Sequence, residues 1–306
     1  MCSSKCKIVA SLFILIWTAS SCVSQELAPR RWSSLPIGVN FAAAGYASTG
    51  AEIAFDPVLR IDNATLDLDT YPVRYIRTFE FAGKQARLDW TQAYQNASWK
   101  GLLDGQPASV ARSGWSDMTF RFAVNLIGSP PLSAKEFAKY QQEIEGETIV
   151  GVGLIVQLPT GSYLEDKLLN LGTNRVTFRP QLGVVKRQGK WSTEATVSSW
   201  IYTDNTDFFD GNILEQDPFY TVQGHVDYTL RPGLWLGGGL GYGAGARSTI
   251  NDVLKDDRKE NLAWIATFAY PISPKTGLKV SYVGIESLAN VGADSQSVAA
   301  AMSVLW

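Results

Sequence analysis

A single histidine is the first residue to consider for chemistry, because imidazole can act as an acid or a base near neutral pH. His225 has Asp227 two residues further on, on the same face of a predicted strand. The pair could form a proton-sensitive site inside a pore, or it could be a structural part of a hydrogen-bond network. We favour the structural interpretation. A lipid hydrolase would need a nucleophile and a base where acyl chains reach them, and the chain contains no Gly-x-Ser-x-Gly motif. We therefore predict no catalytic residues.

Two further clusters have the composition of ligand sites but not the spacing. Asp204, Asp207, Asp210 and Asp217 could supply oxygen ligands to calcium, but their spacing differs from that of an EF-hand loop. The glycine cluster between residues 237 and 245 lies inside a strand pattern with no helix after it. We interpret it as strand glycines that let a barrel bend or leave room in its lumen. The sequence thus predicts a solvated acidic loop, no metal site and no cofactor.

The remaining candidates are charged residues that lie opposite the apolar residues of their own strands. Basic and acidic groups facing one another across a lumen can set a transverse field that orients a small polar solute. The same groups could instead neutralise one another in a closed interior, and both interpretations stay open. These selectivity candidates are Arg87, Asp89, Asp117, Arg121, Arg175, Arg179, Glu194, His225, Asp227 and Lys279.

The alternation of side chains decides which face of each strand meets lipid. In residues 218–230, Tyr220 and Val226 share one face, whereas Gln223, His225 and Asp227 share the other. An Arg or Lys facing the middle of the hydrocarbon costs roughly 2–4 kcal/mol, and several would exceed the stability of a typical fold, about 5–15 kcal/mol. The apolar set must therefore face lipid and the charged set a polar interior.

About twelve segments have the length and alternation of membrane-spanning strands, which need roughly 9–11 residues. No segment after the N-terminal one has 18 continuous apolar residues, so a membrane-embedded chain must be a closed, antiparallel, up-and-down all-β barrel. The predicted strands are residues 36–46, 69–81, 86–94, 115–127, 148–158, 173–186, 191–203, 218–230, 233–243, 261–270, 277–284 and 296–306.

The connections alternate between tight turns and long polar loops, as expected for periplasmic turns and extracellular loops with both chain ends in the periplasm. Residues 128–147 break this rule, because they are long where a short turn is due. Residues 133–142 within them are predicted to form a short helix, with Ser133 as N-cap and Glu136 as its capping-box partner. We expect a narrow lumen, obstructed by this helix or by inward loops.

The last strand carries a possible assembly signal. Met302, Val304 and Trp306 share one face and end the chain on an aromatic residue, which is similar to the signal that the barrel-insertion machinery reads. An ordinary edge strand of a soluble β protein is the alternative.

The first 24 residues are predicted to be a cleaved secretory signal peptide, so that residues 25–306 form the barrel. Lys5 and Lys7 precede a short apolar run and a small polar stretch. Lipidation at Cys22 is a rival interpretation. All three cysteines lie in this segment, so the mature chain should contain no disulfide.

Three segments carry a resemblance to a known family. They are SGWSDMTFRFAVNLIGSPPLSAKEFAKY (residues 113–140), VGLIVQLPTGSYLEDKLLNLGTNRVTFRPQLGV (152–184) and DNTDFFDGNILEQDPFYTVQGHVDYTLRPGLW (204–235). These resemble the bacterial transporter family known as meta-pathway phenol degradation proteins, and residues 159–183 are the most specific part. The resemblance implies an outer-membrane β-barrel associated with the catabolism of aromatic compounds.

Together these observations predict a monomeric barrel in the outer membrane that passes small molecules by passive diffusion, because the chain has no ATP-binding motif. Aromatic substrates are favoured only through the resemblance. A non-conducting structural or loop-displaying barrel is the alternative, and a lipid hydrolase a weaker one. The expected partners are outer-membrane lipid, the barrel-insertion machinery and a small-molecule solute. The formal net charge of −2 gives no reason to expect nucleic acid.

Overall fold

The structure is a computed structural model that describes residues 27–55 and 61–306. The predicted signal peptide and the lipidation candidate Cys22 lie outside the described residues. Among the residues described, no helix combines the length and apolarity needed to cross a membrane.

The chain forms a closed antiparallel β-barrel of 12 strands, as predicted. In chain order its wall consists of thirteen β-segments: β1 (Asn40–Ala54), β2 (Ile61–Phe81), β3 (Lys84–Leu103), β4 (Gln106–Trp115), β5 (Met118–Ile127), β6 (Gly146–Leu158), β7 (Thr177–Gln188), β8 (Trp191–Tyr202), β11 (Phe219–Arg231), β12 (Leu234–Gly245), β15 (Lys259–Pro271), β16 (Thr276–Ser287) and β17 (Gly292–Leu305). Thirteen segments make twelve strands because β4 and β5 follow one another along the same neighbour, β3. Pairing of β1 with β17 closes the ring.

The two faces of the strands differ as the alternation predicted. Along β11, Tyr220 is 62% exposed and Val226 49% exposed, whereas Gln223, His225 and Asp227 are buried inside the barrel. In β17, Met302, Val304 and the terminal Trp306 face outward, opposite partly buried alanines and serines. The apolar outer surface is what a hydrocarbon environment requires.

Tight turns join the strands at one end, which we refer to as the periplasmic end after the usual orientation of such barrels. The turn at residues 82–83 has positive φ at both positions, 51° at Ala82 and 72° at Gly83, which is the pattern of a type I′ hairpin turn. The chain continues on this side into α1 (Ala134–Glu143), whose capping box is formed by Ser133 and Glu136. Hydrogen bonds from the Ser133 side chain and backbone hold the pKa of Glu136 below its usual value.

The longer loops form extra strands at the opposite, extracellular end. β9 (Asn205–Phe208), β10 (Asn212–Gln216), β13 (Ser248–Ile250) and β14 (Val253–Leu254) make a small separate sheet, packed on Phe208, Leu214 and Ile250. The predicted acidic loop therefore contains ordered strands. Among the described residues no group of three or more His, Cys, Asp or Glu side chains is placed to hold a metal ion.

The hairpins β1–β2 and β3–β4 are longer than predicted. The sequence indicated loops where β2 begins at Ile61, β3 continues to Leu103 and β4 runs from Gln106. Above the hydrocarbon the outer face needs no apolar residues, so the alternation that reveals a spanning strand fades there.

The helix does not obstruct the lumen, contrary to one part of our expectation. None of its residues is buried. The segment before β1 enters the barrel instead, and no pattern in the sequence predicted this.

Candidate functional site: the lumen, its plug and its lid

Residues 27–38, here called the plug, lie inside the lumen, with Trp32 near their centre. Trp32 is only 2% exposed. Its indole N–H donates to Thr196 Oγ1 at 2.9 Å, and its backbone N–H donates to Glu194 Oε2 at 3.3 Å. The guanidinium of Arg121 stacks on the ring at 4.5 Å. The plug is thus seated by packing, hydrogen bonds and a cation–π contact.

Three wall glycines make the slot for this indole. A Cβ at Gly183 of β7 would lie 2.0 Å from Trp32 Nε1, and one at Gly151 of β6 would lie 2.4 Å from its Cε3. At Gly153 the corresponding distance to Cη2 is 3.3 Å. Only glycine leaves the space that the ring occupies, so the wall and the plug fit one another.

The residues before Trp32 reach further strands. Arg30 donates to Thr229 Oγ1 at 2.7 Å, lies 3.6 Å from Asp227 Oδ2, and stacks on Trp235 at 4.2 Å. Arg31 donates to Gln181 Oε1 at 3.4 Å. Leu27 packs in an apolar cluster on the lumen faces of β15 and β16. The plug therefore spans the lumen from β7 to β16.

Glu147 ties the base of the plug to the periplasmic end. Its carboxylate accepts hydrogen bonds from Ser34 Oγ at 2.8 Å, from Ser129 N at 2.7 Å and from the Tyr140 hydroxyl of α1 at 2.8 Å. Burial, followed by the bond to Glu147, raises the pKa of Tyr140 to about 12. One carboxylate thus joins plug, helix and strand.

Several predicted selectivity candidates come together around one carboxylate. Asp89 Oδ2 lies 2.5 Å from Arg87, 2.7 Å from Arg74 and 3.8 Å from Arg121. Arg121 also donates to Gln181 Oε1 at 3.0 Å. This cluster holds the plug's binding surface in place and carries an excess of positive charge.

Arg175 and Arg179 are stacked on aromatic rings nearer the extracellular end. Arg179 lies 4.3 Å from Trp200 and donates to Ser198 Oγ at 3.0 Å. Arg175 lies 4.3 Å from Tyr202 and donates to Gln216. These contacts are with rings and neutral groups, and the carboxylates of Asp117, which was an expected partner, and of Asp204 also act on the charge of Arg175.

Glu194, His225 and Asp227 are neighbours on β8 and β11, with His225 directly opposite Glu194. The glycines of β12 make room for them, as predicted, because a Cβ at Gly239 would lie 2.3 Å from His225 Cδ2 and one at Gly237 would lie 1.8 Å from Asp227 Oδ1. Within the described part of the chain neither ring nitrogen of His225 has a hydrogen-bond partner. No described serine is therefore paired with it.

Asp117 has a different place from the other candidates. It lies at the break between β4 and β5 and accepts hydrogen bonds from Gly161 N at 2.8 Å, Thr173 N at 2.9 Å and Gln157 Nε2 at 3.0 Å. These partners stand at or near the two ends of residues 159–176, here called the lid, which connect β6 and β7 over the extracellular mouth. Asp117 clamps the neck of the lid.

One side of the lumen is lined by small, half-buried residues of β1 and β17. Lys279, the last predicted candidate, stands beside it on β16, opposite Ala301. This wall was not predicted, although small residues at every second position were a signal for it. The paired, half-buried residues are Ala43 with Ser303, Gly45 with Ala301, Ala47 with Ala299, and Thr49 with Ser297.

Comparison with solved structures finds the same architecture in bacterial outer-membrane proteins. The COG4313 outer membrane channel from Pseudomonas putida F1 is similar with a TM-score of 0.76 and 22% identity, over 92% of this chain and 100% of that one. The transport unit of the autotransporter AIDA-I from Escherichia coli gives 0.51 and 9%, over 94% of each chain. The translocator domain of NalP from Neisseria meningitidis gives 0.50 and 10%, over 89% of this chain and 90% of that one.

At these identities the similarities show a shared fold. No curated protein gives a significant sequence match. A family model described as "Putative MetA-pathway of phenol degradation" matches residues 61–287, and the chain belongs to this family.

Proposed function

We propose that the protein is an outer-membrane channel for the passive passage of small solutes, with aromatic catabolic substrates favoured, and that the plug closes it in the state described here. The observation that carries the proposal is the plug's position inside a closed barrel, where non-covalent contacts hold it to the wall. The name of the Pseudomonas putida neighbour, an outer membrane channel, supports the activity, and the family description supports the substrate class.

The strand pairing of the barrel does not depend on the plug. The ladders from β1 round to β17 close the ring, and the plug adds its contacts on the inner face. On withdrawal of the plug, the slot between β6 and β7 and the small-residue wall of β1 and β17 would line one continuous space. A filler required for stability would more usually be built from the strands themselves, as in small barrels packed with their own side chains.

The proposal includes the setting in which the channel acts. A cleaved signal peptide exports the chain, the insertion machinery places it in outer-membrane lipid, and it acts there as a monomer. The apolar outer face supports the lipid contact, and Met302, Val304 and Trp306 on that face support recognition by the insertion machinery.

The test is single-channel conductance of the refolded protein in a planar bilayer, compared with a variant that lacks residues 27–36. We expect rare openings of the intact protein and steady conductance of the variant. Arg175→Ala and Arg179→Ala, made in the variant, should change its conductance if these residues line the passage. A plug-free barrel that resists detergent unfolding yet carries no current would refute the channel and favour the structural or loop-displaying barrel.

A further inference from the structure

The extracellular end of the lumen is apolar on one side, which is unusual for an outer-membrane barrel. Lumen-facing residues of such barrels are normally polar. Here Ile53 of β1, Leu66 of β2 and Trp99 of β3 point inward and are at most 8% exposed. With Ala51, Phe55, Ala64, Ala97 and Val291 they form one buried cluster, here called the Trp99 cluster.

The lid covers this cluster with its own leucines. Leu169 and Leu171 pack against the Trp99 cluster, whereas Leu168 packs against the apolar cluster of the small sheet. The lid therefore crosses the extracellular mouth with apolar side chains directed to both sides.

The two sides of the lid are held by different kinds of contact. Toward the small sheet, Tyr163 donates to Asp207 O at 3.1 Å and Asp210 N donates to Glu165 O at 2.9 Å. Toward the Trp99 cluster the described contacts are apolar, apart from a long hydrogen bond of 3.4 Å from Arg112 to Leu169 O. An apolar ligand can replace apolar contacts without leaving polar groups unmatched, so the lid can exchange its leucines for a ligand on this side.

Within the cluster one hydrogen-bond donor is left over. Trp99 is 6% exposed, and its indole N–H has no acceptor among the residues that the structure describes. Buried indole N–H groups usually have a partner, as that of Trp32 does in the same barrel. An apolar surface with one unmatched donor suits an apolar ring that carries one oxygen.

We propose that the contact between the Trp99 cluster and the lid residues Leu169 and Leu171 opens to form a capture site for a small neutral aromatic molecule with one hydroxyl group, such as phenol. The ring takes the place of the leucine side chains, and the hydroxyl oxygen accepts the hydrogen bond of Trp99 Nε1. This site deepens the proposed function, on which it rests, by giving the channel an entrance that selects its solute.

The same surroundings disfavour an anion. The side chains of the Trp99 cluster are apolar, and the cation beside it, Arg112, donates to the backbone oxygen of Leu169, so a carboxylate would lose its hydration for at most one counter-charge. The neighbouring loop is acidic at Asp204, Asp207 and Asp210. A neutral phenol should therefore bind in preference to benzoate.

The site also lies at the extracellular end of the small-residue wall. Ala51 of the cluster is followed on the same face of β1 by Thr49 and Ala47, which belong to the small-residue wall. A solute released from the site would move along this wall toward the plug without meeting a charged side chain on β1 or on β17.

The test uses full-length mature protein labelled with 5-fluorotryptophan in detergent micelles and fluorine NMR. The Trp99 signal is identified by its absence from the Trp99→Phe variant, and the protein is titrated with phenol, toluene and benzoate. We expect saturable shifts of the Trp99 signal with phenol and toluene but not with benzoate. Because Trp99→Phe lacks the reporter signal, its affinities and those of the unaltered protein are compared by isothermal titration calorimetry. The substitution should weaken the binding of phenol about 5-fold, the effect of one neutral hydrogen bond, and leave the binding of toluene unchanged.

Two further variants separate the parts of the proposal. Leu171→Ser removes one lid contact outside the strands and should weaken the binding of phenol and of toluene to the same extent. Trp200→Phe changes a lumen tryptophan outside the cluster and should leave the binding of both unchanged. A Trp99 signal that does not respond saturably to phenol would overturn the proposal, as would equal losses for phenol and toluene in Trp99→Phe or benzoate binding as tightly as phenol.

Conductance distinguishes this inference from the proposed function. The plug-free barrel gives the conductance, and the full-length protein gives the phenol binding, so the two properties are measured independently. Conduction without phenol binding would refute the capture site and leave the proposed channel standing. Phenol binding at Trp99 in a barrel that never conducts would refute the proposed channel.

Discussion

Replacing Gly183 by alanine should drive the plug out of its seat, although the substitution adds one methyl group to the wall. The new Cβ would lie 2.0 Å from Trp32 Nε1 and 2.2 Å from its Cε2. The backbone of β7 cannot retreat, because it is paired with β6 on one side and β8 on the other. The indole must therefore move.

The size of the effect follows from what Trp32 loses. A tryptophan buries about 200 Å², which at roughly 25 cal/mol per Å² corresponds to about 5 kcal/mol as an upper bound. The bond to Thr196 adds about 1 kcal/mol. Removing a large aromatic side chain from a core usually costs about 3–5 kcal/mol. Taking about 4 kcal/mol, the population of the unplugged state should rise by about three orders of magnitude.

Single-channel recording measures that population as open probability. Gly183→Ala and Trp32→Ala should both raise it strongly, since they remove the same fit from opposite sides. Gly50→Ala is the matched control, because a Cβ at this strand glycine would meet nothing within 4 Å. A folded Gly183→Ala barrel with the open probability of the unaltered protein would show that the Trp32 seat does not hold the channel closed.

Three further predictions concern the lid, the periplasmic helix and the last strand. Asp117→Asn keeps the shape of the clamp but loses its charge. Amide hydrogen exchange in residues 159–176 should become about tenfold faster or more, which corresponds to the free energy of a hydrogen bond to a charged group. An unchanged exchange rate would contradict the clamp. Because the pKa of Tyr140 is raised to about 12, its neutral form stabilises the fold fully below about pH 10, and this contribution is lost as the pH rises through 12. The difference in absorbance at about 295 nm between the unaltered protein and Tyr140→Phe should titrate near pH 12, and a midpoint near pH 10 would refute the contact with Glu147. Deleting Trp306 should lower the amount of barrel inserted in cells more than the yield of refolding in detergent, and equal losses would speak against an assembly signal.

The sequence by itself determined the architecture, because a membrane makes local patterns decisive. Each spanning strand must place apolar residues toward lipid at every second position, so the faces of β11 and β17 could be assigned from residue order alone. The helix was equally accessible, since the Ser133 and Glu136 capping box is a contact three residues apart. Family membership was also recognisable from the sequence.

The plug was not predictable in this way. Residues 27–38 show neither the two-residue period of a strand nor the 3.6-residue period of a helix. Their hydrogen bonds reach residues more than 100 positions away, such as Glu147, Gln181 and Thr196. The glycines of the slot could be counted in the sequence, but nothing local pairs Gly183 with Trp32.

The lumen shows the same limit in its charged residues. Alternation placed them inside the barrel, but it did not say that Arg179 would stack on Trp200 or that Asp117 would clamp the lid. Lipid contact depends on the parity of one strand, whereas lumen contacts depend on the register of many strands and on a segment threaded through them. Residue order alone therefore determines which side chains face lipid, whereas only the closed tertiary structure determines which side chains meet in the lumen.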